Sequence, residues 1–358
     1  MRVVTPQSAA PDDPALREAA RVLDAGGVVA LPTETVYGLC CRSAYKDAVA
    51  RIFEIKDRPP EKRLPFLVPD ASRLGDFTND PPPRAVRLAR RWWPGPLTLV
   101  VGPDPESVAV RVPETAVTRT VLRLAQGPVH GTSANLSGHE AATDAPSVVR
   151  AFSGRAAPDL VVDGGPCKVG RESTLVRVAP DAATSIIRIG ALAPTDLLPE
   201  IAAKILVVCT GNTCRSPMAA ALLKKALADA LNVSEDGLIE RGIDVSSAGV
   251  SAFDGDPASS GARRAASRRG LSLDRHASRP ISALALDDYE CVFGLTPEHV
   301  STLRRRFNVA HASTLDPDGH GIADPFGGGD DDYEAAARDI EAAVARRVPM
   351  LLRLALPK

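Results

Sequence analysis

This 358-residue chain has little excess charge, few cysteines and no long apolar run. Lysine and arginine total 43 against 44 aspartate and glutamate, a formal net charge of −1. No global field therefore favours nucleic acid or a membrane surface, and any polyanion recognition must come from a local patch. The six cysteines (Cys40, Cys41, Cys167, Cys209, Cys214, Cys291) show no zinc spacing. Sparse cysteines in a large chain point to a reducing, cytoplasmic setting, with thiols that are buried or catalytic and no metal-ligating set. The first residues hold no apolar signal core, so no secretory signal is expected, and no run is long enough to span a membrane. There is no internal repeat. What is present is a 44% hydrophobic chain, which excludes a disordered one. Its length suits two domains.

The pattern alternates strands and helices. Residues 14–25 read as an amphipathic helix and 28–31 as a buried strand. Helices follow at 44–56, 84–92 and 115–125, with strands at 64–68, 97–101, 108–112, 129–132, 160–162, 173–178 and 186–189. This order predicts an α/β domain over residues 1–195. Residues 190–203 hold two prolines between two strand-led units, and the domain boundary is placed there. Beyond it, strands near 204–208, 243–246 and 290–293 alternate with helices at 217–231, 257–269, 297–307 and 331–353. That order predicts a small, doubly wound parallel sheet over residues 203–358. Asp330, Asp331 and Asp332 read as the acidic N-terminus of the last helix.

The densest chemical signal is Ile205-Leu-Val-Val-Cys-Thr-Gly-Asn-Thr-Cys-Arg-Ser-Pro-Met218. An apolar run delivers Cys209, five residues separate it from Arg215, and a helical pattern starts at once. Phosphate oxygens repel nucleophiles, and backbone N–H groups with an arginine fork overcome that repulsion. Gly211 is expected to supply the unusual dihedrals of the loop, and Pro217 suits the first helical turn. The helix dipole, Arg215 and the Ser216 hydroxyl should favour a Cys209 thiolate. The leaving group needs an acid. Asp324-Pro325-Phe326-Gly327-Gly328 supplies a carboxylate on a loop before the last helix.

These two segments resemble the signatures of the low-molecular-weight protein tyrosine phosphatases, and with Ser247-Ala-Gly249 the resemblance covers about residues 203–354. It implies a cysteine-dependent phosphatase acting on phosphorylated protein without a cofactor. Cys209 would be the nucleophile, Arg215 the phosphoryl ligand and Asp324 the general acid and then base. Asn212 would hold the loop and Ser216 tune the thiolate. Thr213, and Phe326-Gly327 in place of an aromatic pair, pull the resemblance toward the protein-arginine phosphatase branch, so phosphoarginine and phosphotyrosine both stand as substrates.

The first half carries scattered signals. Lys56, Arg58, Lys62 and Arg63 read as a local cationic patch. Arg111 lies within an apolar strand, where a guanidinium needs an anion, a carboxylate or a phosphate. Leu31-Pro-Thr-Glu-Thr-Val-Tyr-Gly38, Trp93-Pro-Gly-Pro-Leu-Thr98, Gly131-Thr-Ser-Ala-Asn-Leu-Ser-Gly138 and Arg171-Glu-Ser-Thr174 put hydroxyls and turns at strand ends. The chemistry alone indicates an anion or nucleotide pocket, with double-stranded RNA as the alternative user of a basic concavity.

In this order the segments resemble the threonylcarbamoyl-AMP synthase (YrdC-like) family over about residues 8–195. The K-x-R and S-x-N hallmarks are Lys56-Asp-Arg58 and Ser133-Ala-Asn135. The resemblance implies a twisted α/β sheet that joins L-threonine, bicarbonate and ATP into threonylcarbamoyl-AMP with release of pyrophosphate, Mg2+ accompanying the ATP. The product would pass to the machinery that modifies tRNA. Lys56, Arg58, Ser133, Asn135 and Arg188 would hold ATP, and Thr33, Arg111 and Ser173 would line the threonine site. The alternative is a YrdC-like RNA- or nucleotide-binding module without synthase activity, joined to an active phosphatase.

Overall fold

A computed structural model describes residues 1–59, 63–179 and 184–356 of the chain. They form two compact units; the chain finally passes from the first to the second between Leu197 and Leu198, inside a helix that begins in the first, and Pro82–Arg84 and Thr184 also belong to the second.

The first unit runs β1 (Arg2–Val4), α1 (Pro14–Asp24), β2 (Val29–Leu31), β3 (Gly38–Arg42), α2 (Lys46–Lys56), β4 (Phe66–Leu67), α3 (Pro83–Trp92), β5 (Leu97–Val101), β6 (Val108–Arg111), α4 (Ala116–Leu124), β7 (Val129–Ser133), α5 (Ala145–Ala151), β8 (Leu160–Val162), β9 (Thr174–Arg177), β10 (Ser185–Arg188) and α6 (Pro194–Ile201). The strands make one ten-stranded sheet in the order β1-β8-β2-β3-β7-β4-β6-β5-β9-β10. It mixes parallel pairs such as β4·β6 and β5·β9 with antiparallel ones such as β3·β7 and β5·β6.

Local chemistry explains α1. The Asp13 carboxylate accepts from the backbone N–H of Ala15 at 2.9 Å and of Leu16 at 3.3 Å, and Pro14 fills the first helical position. Leu16, Ala19, Ala20 and Leu23 are its buried residues. The strand β3 was not anticipated: Gly-Leu-Cys-Cys is buried throughout, so no alternation marks it. The helix α6 occupies the segment expected to be a proline-broken boundary. Pro194 opens it, where no N–H is needed, and Pro199 removes one bond of a short helix.

The second unit runs β11 (Ala203–Cys209), α7 (Arg215–Leu231), β12 (Ile243–Gly249), α8 (Ser260–Ser267), β13 (Cys291–Gly294), α9 (Pro297–Arg306), β14 (Ser313–Thr314) and α10 (Asp330–Leu351). Its four strands are all parallel, in the order β12-β11-β13-β14. The central strand β11 is apolar on both faces, as a covered parallel strand must be. Ile205, Val207 and Cys209 join one core cluster, with Met218, Leu223 and Ile340; Leu206 and Val208 join the opposite one, with Val300 and Leu303. This alternation puts Cys209 at the carboxyl end of the central strand, at the turn into α7. The acidic start of α10 is also an ion-pair site, Asp330 meeting Arg264 at 2.6 Å and Arg268 at 2.9 Å.

Among the described residues, no helix is long and apolar enough to cross a membrane.

Candidate active sites

In the second unit, the turn from β11 into α7 wraps around a sulfur atom. Cys209 is buried, and its Sγ lies 3.0 Å from Ser216 Oγ and accepts from the backbone N–H of Asn212 at 3.3 Å. Asn212 is the brace. Its amide Nδ2 donates to Ser216 Oγ at 2.8 Å and to Ser247 Oγ at 2.9 Å, and its Oδ1 accepts from the Arg279 N–H at 2.9 Å. Ser216 Oγ accepts from Asn212 and donates to the Ala248 carbonyl at 3.4 Å, beside the sulfur. The turn leads straight into the N-terminus of α7, where backbone N–H groups suit an anion.

The unusual dihedral expected of Gly211 falls instead on Asn212, whose φ is +55°. Asparagine tolerates that region, and here three hydrogen bonds hold it there. The glycine that the loop does require is Gly249. A Cβ there would meet Thr210 O at 2.5 Å and Asn212 N at 2.9 Å, so only glycine lets β12 pass this close.

Arg215 begins α7 and is buried. One nitrogen donates to Ile322 O at 3.1 Å, and another is paired with the Asp324 carboxylate. The Asp324 side chain is 46% exposed, so it can meet a substrate in solvent, and the N–H of Phe326 donates to its other oxygen. Thr213 sits on the loop with its hydroxyl 3.7 Å from Cys214 Sγ, and Phe326 is exposed. Cys209, Asn212, Thr213, Arg215, Ser216 and Asp324 thus form one constellation. Sequence reasoning missed its outer support. Ser247, Arg279 and His276, whose Nε2 meets Asn212 O at 2.7 Å, brace the loop, and His299 meets Thr210. Of these only Ser247 lay in a segment with a readable signal.

In the first unit, the strand ends enclose a cleft of about 310 Å³. Thr33 reaches it from the loop after β2, Arg58 from the end of α2, Arg111 from β6 and Ser133 from β7. Ser173 and Glu172 enter just before β9 and Arg188 from β10, with Arg63, Thr98, Tyr37, Ser107 and Thr132 also in the lining. Six of the eight residues expected to bind ligand therefore line one cavity.

The other two, Lys56 and Asn135, do not line it. Lys56 is 2% exposed, and its ammonium donates to the Ser133 carbonyl, the Asn135 carbonyl at 2.8 Å and Asn135 Oδ1 at 3.0 Å. Burial first, then the Arg58 charge, pushes its pKa down to about 8, with Glu172 pulling the other way. Lys56 is a strut for the 133–139 loop rather than part of an exposed cationic patch. Arg58 and Arg63 do face the cleft, and Lys62 lies outside the described residues.

Arg111 already has its carboxylate. It donates to Glu34 at 2.6 Å, Thr35 Oγ1 at 2.8 Å and Gly95 O at 3.1 Å, and Glu34 also accepts from the Glu114 N–H at 2.8 Å. Arg188 pairs with Glu172 and donates to Ser173 O at 2.9 Å, and Ser173 Oγ lies 2.7 Å from Thr98 Oγ1. Burial, then the neighbouring Arg188, lowers the Arg58 pKa, with Glu172 pulling the other way. No cysteine, lysine or histidine lines this cleft among the described residues.

The fold and geometry define a protein of two enzyme-like α/β units, one with an arginine-rich cleft at strand ends and one with a thiol in a phosphate-sized loop. Comparison with known proteins identifies both. Residues 21–190 match the Sua5/YciO/YrdC family model, described as telomere recombination, and residues 204–352 match that of low molecular weight phosphotyrosine protein phosphatase. A threonylcarbamoyl-AMP synthase of Bacillus subtilis is 39% identical over 181 residues, 48% of this chain and 52% of that one. One of Psychromonas ingrahamii is 33% identical over 160 residues, 41% of this chain and 84% of that one. A solved variant of P. abyssi Sua5 is 28% identical with a TM-score of 0.51, over 58% of this chain and 71% of that one. The chain spans about half the length of the first curated relatives it matches. It belongs to the Sua5/YciO/YrdC family through its first unit and to the low-molecular-weight phosphatases through its second. One is a family of transferases, the other of hydrolases.

Proposed function

We propose that the chain is a bifunctional enzyme. The first unit makes threonylcarbamoyl-AMP from L-threonine, bicarbonate and ATP for tRNA modification, and the second is a cysteine-dependent protein phosphatase. For the first, the supporting observation is the convergence of Arg58, Ser133 and Arg188 with Thr33, Arg111 and Ser173 on one cleft. Arg58 and Arg188 neutralise the phosphates of ATP, and Ser133 fixes them. Thr33 and Ser173 offer hydroxyls to threonine, whose carboxylate approaches an Arg111 that Glu34 already balances. Lys56 and Asn135 act through the loop they hold. With no cysteine, lysine or histidine among the described lining residues, the rate comes from positioning and charge neutralisation at the α-phosphate. Glu172 is the one carboxylate among the described lining residues. That donor set fits a Mg2+ carried by the nucleotide phosphates rather than one caged by protein.

In the second unit, the Cys209 thiolate attacks phosphorus and the leaving group takes a proton from Asp324. A phosphocysteine forms, and Asp324 then activates the water that cleaves it. Arg215 and the loop N–H groups hold the phosphoryl oxygens throughout. Thr213 and Phe326-Gly327 support phosphoarginine over phosphotyrosine as substrate. The six cysteines are unpaired, which supports a reducing, cytoplasmic setting.

The test is one preparation of the full chain in two assays. With ATP and bicarbonate, pyrophosphate release and adenylate product should appear only when threonine is added. Aryl phosphate hydrolysis should proceed in parallel and stop in Cys209→Ser. Nucleotide or double-stranded RNA binding without threonine-dependent adenylate would make the first unit a binding module instead. Comparing kcat/KM for phosphoarginine and phosphotyrosine protein decides the branch.

A further inference from the structure

A cavity of about 340 Å³ in the second unit is lined by none of Cys209, Arg215 and Asp324. Its walls are α7, the edge strand β12 and the segment from Ser272 to Arg279. Along α7, Ala220, Ala221 and Lys224 are spaced to share one face, so two methyl groups leave the room that Lys224 borders. The charges around this room are unbalanced. Lys224, Arg275 and Arg279 line it against one carboxylate, Glu235. Neither Lys224 nor Arg275 has a side-chain partner among the described residues. The next lysine, Lys225, is exposed and holds Asp229 at 3.0 Å. Arg279 is half-buried, and its Nε and Nη2 donate to the Ser247 carbonyl at 3.3 and 3.1 Å. A neutral carbonyl leaves the guanidinium charge uncompensated. Burial keeps the pKa of His276 below its ordinary value, the Asn212 carbonyl pulling upward and the Arg279 charge downward, so the ring adds no charge at pH 7. Two of these lining residues brace the thiolate loop. His276 Nε2 donates to the Asn212 carbonyl at 2.7 Å, and the Arg279 N–H donates to Asn212 Oδ1 at 2.9 Å.

We propose that this cavity is a second anion site, taking a small ligand with two or three negative charges on phosphate or carboxylate groups. Three cations against one carboxylate attract such a ligand and repel a cation. The arginine fork and the lysine ammonium are donors that match phosphate and carboxylate oxygens. At the small end of the range for ligand pockets, the cavity suits an anion the size of pyrophosphate or citrate. The site is separate from the thiolate loop, yet a bound anion rests against Arg279 and His276, which hold that loop in shape.

The test uses the full chain and reads the reactivity of one amine. An acetylating reagent is applied briefly with pyrophosphate, with citrate, or with sodium chloride at matched ionic strength. Modification of Lys224 and of Lys225 is then followed separately by fragment-ion mass spectrometry. An anion in the cavity should slow acetylation of Lys224 at least about 5-fold at saturation, while Lys225 stays within about 2-fold of its rate in chloride. Arg275→Ala should raise the half-protecting concentration about 10-fold, as loss of one charge-assisted hydrogen bond does. Glu235→Gln removes the one opposing charge and should lower that concentration. Both positions are exposed, so both variants should fold. The anion that protects at the lower concentration decides between a phosphate and a carboxylate ligand. Equal slowing of the two lysines, equal slowing by chloride, or an unchanged half-protecting concentration in Arg275→Ala would overturn the site. The readout does not use turnover, so it stands apart from the phosphatase reading: failure of aryl phosphate hydrolysis would leave it untouched.

Discussion

The cleft of the first unit and the loop of the second both gather arginine, but they are assembled in different ways. In the loop, a thiol, a guanidinium and a hydroxyl come from eight consecutive residues, Cys209 to Ser216. One strand-to-helix turn aims them, and only the acid, Asp324, arrives from elsewhere. In the cleft, Thr33, Arg58, Arg111, Ser133, Ser173 and Arg188 come from six separate segments of a ten-stranded sheet. A covalent mechanism concentrates its chemistry on one nucleophile, so a short motif suffices. A mechanism of positioning distributes many weak contacts over the scaffold, so no single segment carries it.

The comparison can be broken most sharply at the nucleophile. Cys209→Ser should cost at least ~10⁴-fold in aryl phosphate turnover, since the covalent route is lost. Threonine-dependent adenylate formation by the same variant should be unchanged, and both are read from one preparation. A cleft that works by positioning should have no position of comparable weight, so single substitutions at Arg58 or Arg188 should cost adenylate formation far less.

Asp324→Asn comes next. It should lower kcat by about 10²–10⁴-fold, as loss of a general acid does, while leaving the thiol in place. Stoichiometric alkylation of Cys209 at the wild-type rate, with slow turnover, would separate the two roles. Unchanged turnover would assign the proton to another group.

In the cleft, the expected counterpart is a loss of stability. Glu34→Ala leaves Arg111 buried without its carboxylate, which should destabilise the first unit by about 3–5 kcal/mol. Calorimetry should show a lowered transition for that unit, with phosphatase activity retained at low temperature. An unshifted transition would mean that Glu34 contributes little to the folded state.

The smallest effect is a pH slope in the second unit. The folded pKa of His299 is about 4, below its ordinary value of 6.5. Between those values the unfolded chain binds the extra proton, so stability is full above pH 6.5 and falls as pH drops toward 4. The slope from this one group is at most ~1.4 kcal/mol per pH unit. His299→Gln should flatten it, as measured by denaturant midpoints across that range. An unaltered slope would mean that the ring is protonated in the folded state.

The same contrast sets what could be read in the sequence. Strand β11, the strand after it and the helices on either side were legible because parallel core strands are short apolar runs and the helices between them are amphipathic. The part of the thiolate constellation from Cys209 to Ser216 was legible because it is local, whereas Asp324 was marked only by its own Asp-Pro loop. Strand β3 was hidden by burial on both faces, and α6 by prolines that it tolerates at its start and interior. The cleft residues were legible only as a set of motifs in a fixed order. Lys56 shows why the rest was not. Its position in a K-x-R pair indicates an anion ligand, yet the fold turns its ammonium onto the carbonyls of the 133–139 loop.

The sequence by itself determined that the chain has two α/β units, that Cys209 is a nucleophile candidate with Arg215 and Ser216 beside it, and that hydroxyls and arginines recur at strand ends in the first half. These follow from periodicity and from residues adjacent in the chain. Only the tertiary structure decided that Asn212 rather than Gly211 bears the left-handed turn, that Glu34 balances Arg111, and that His299 reaches Thr210. Each of these is a contact between residues far apart in sequence or a dihedral set by such contacts. The energy that fixes them, burial of charge and pairing of polar atoms, exists only once the sheet has brought the partners together.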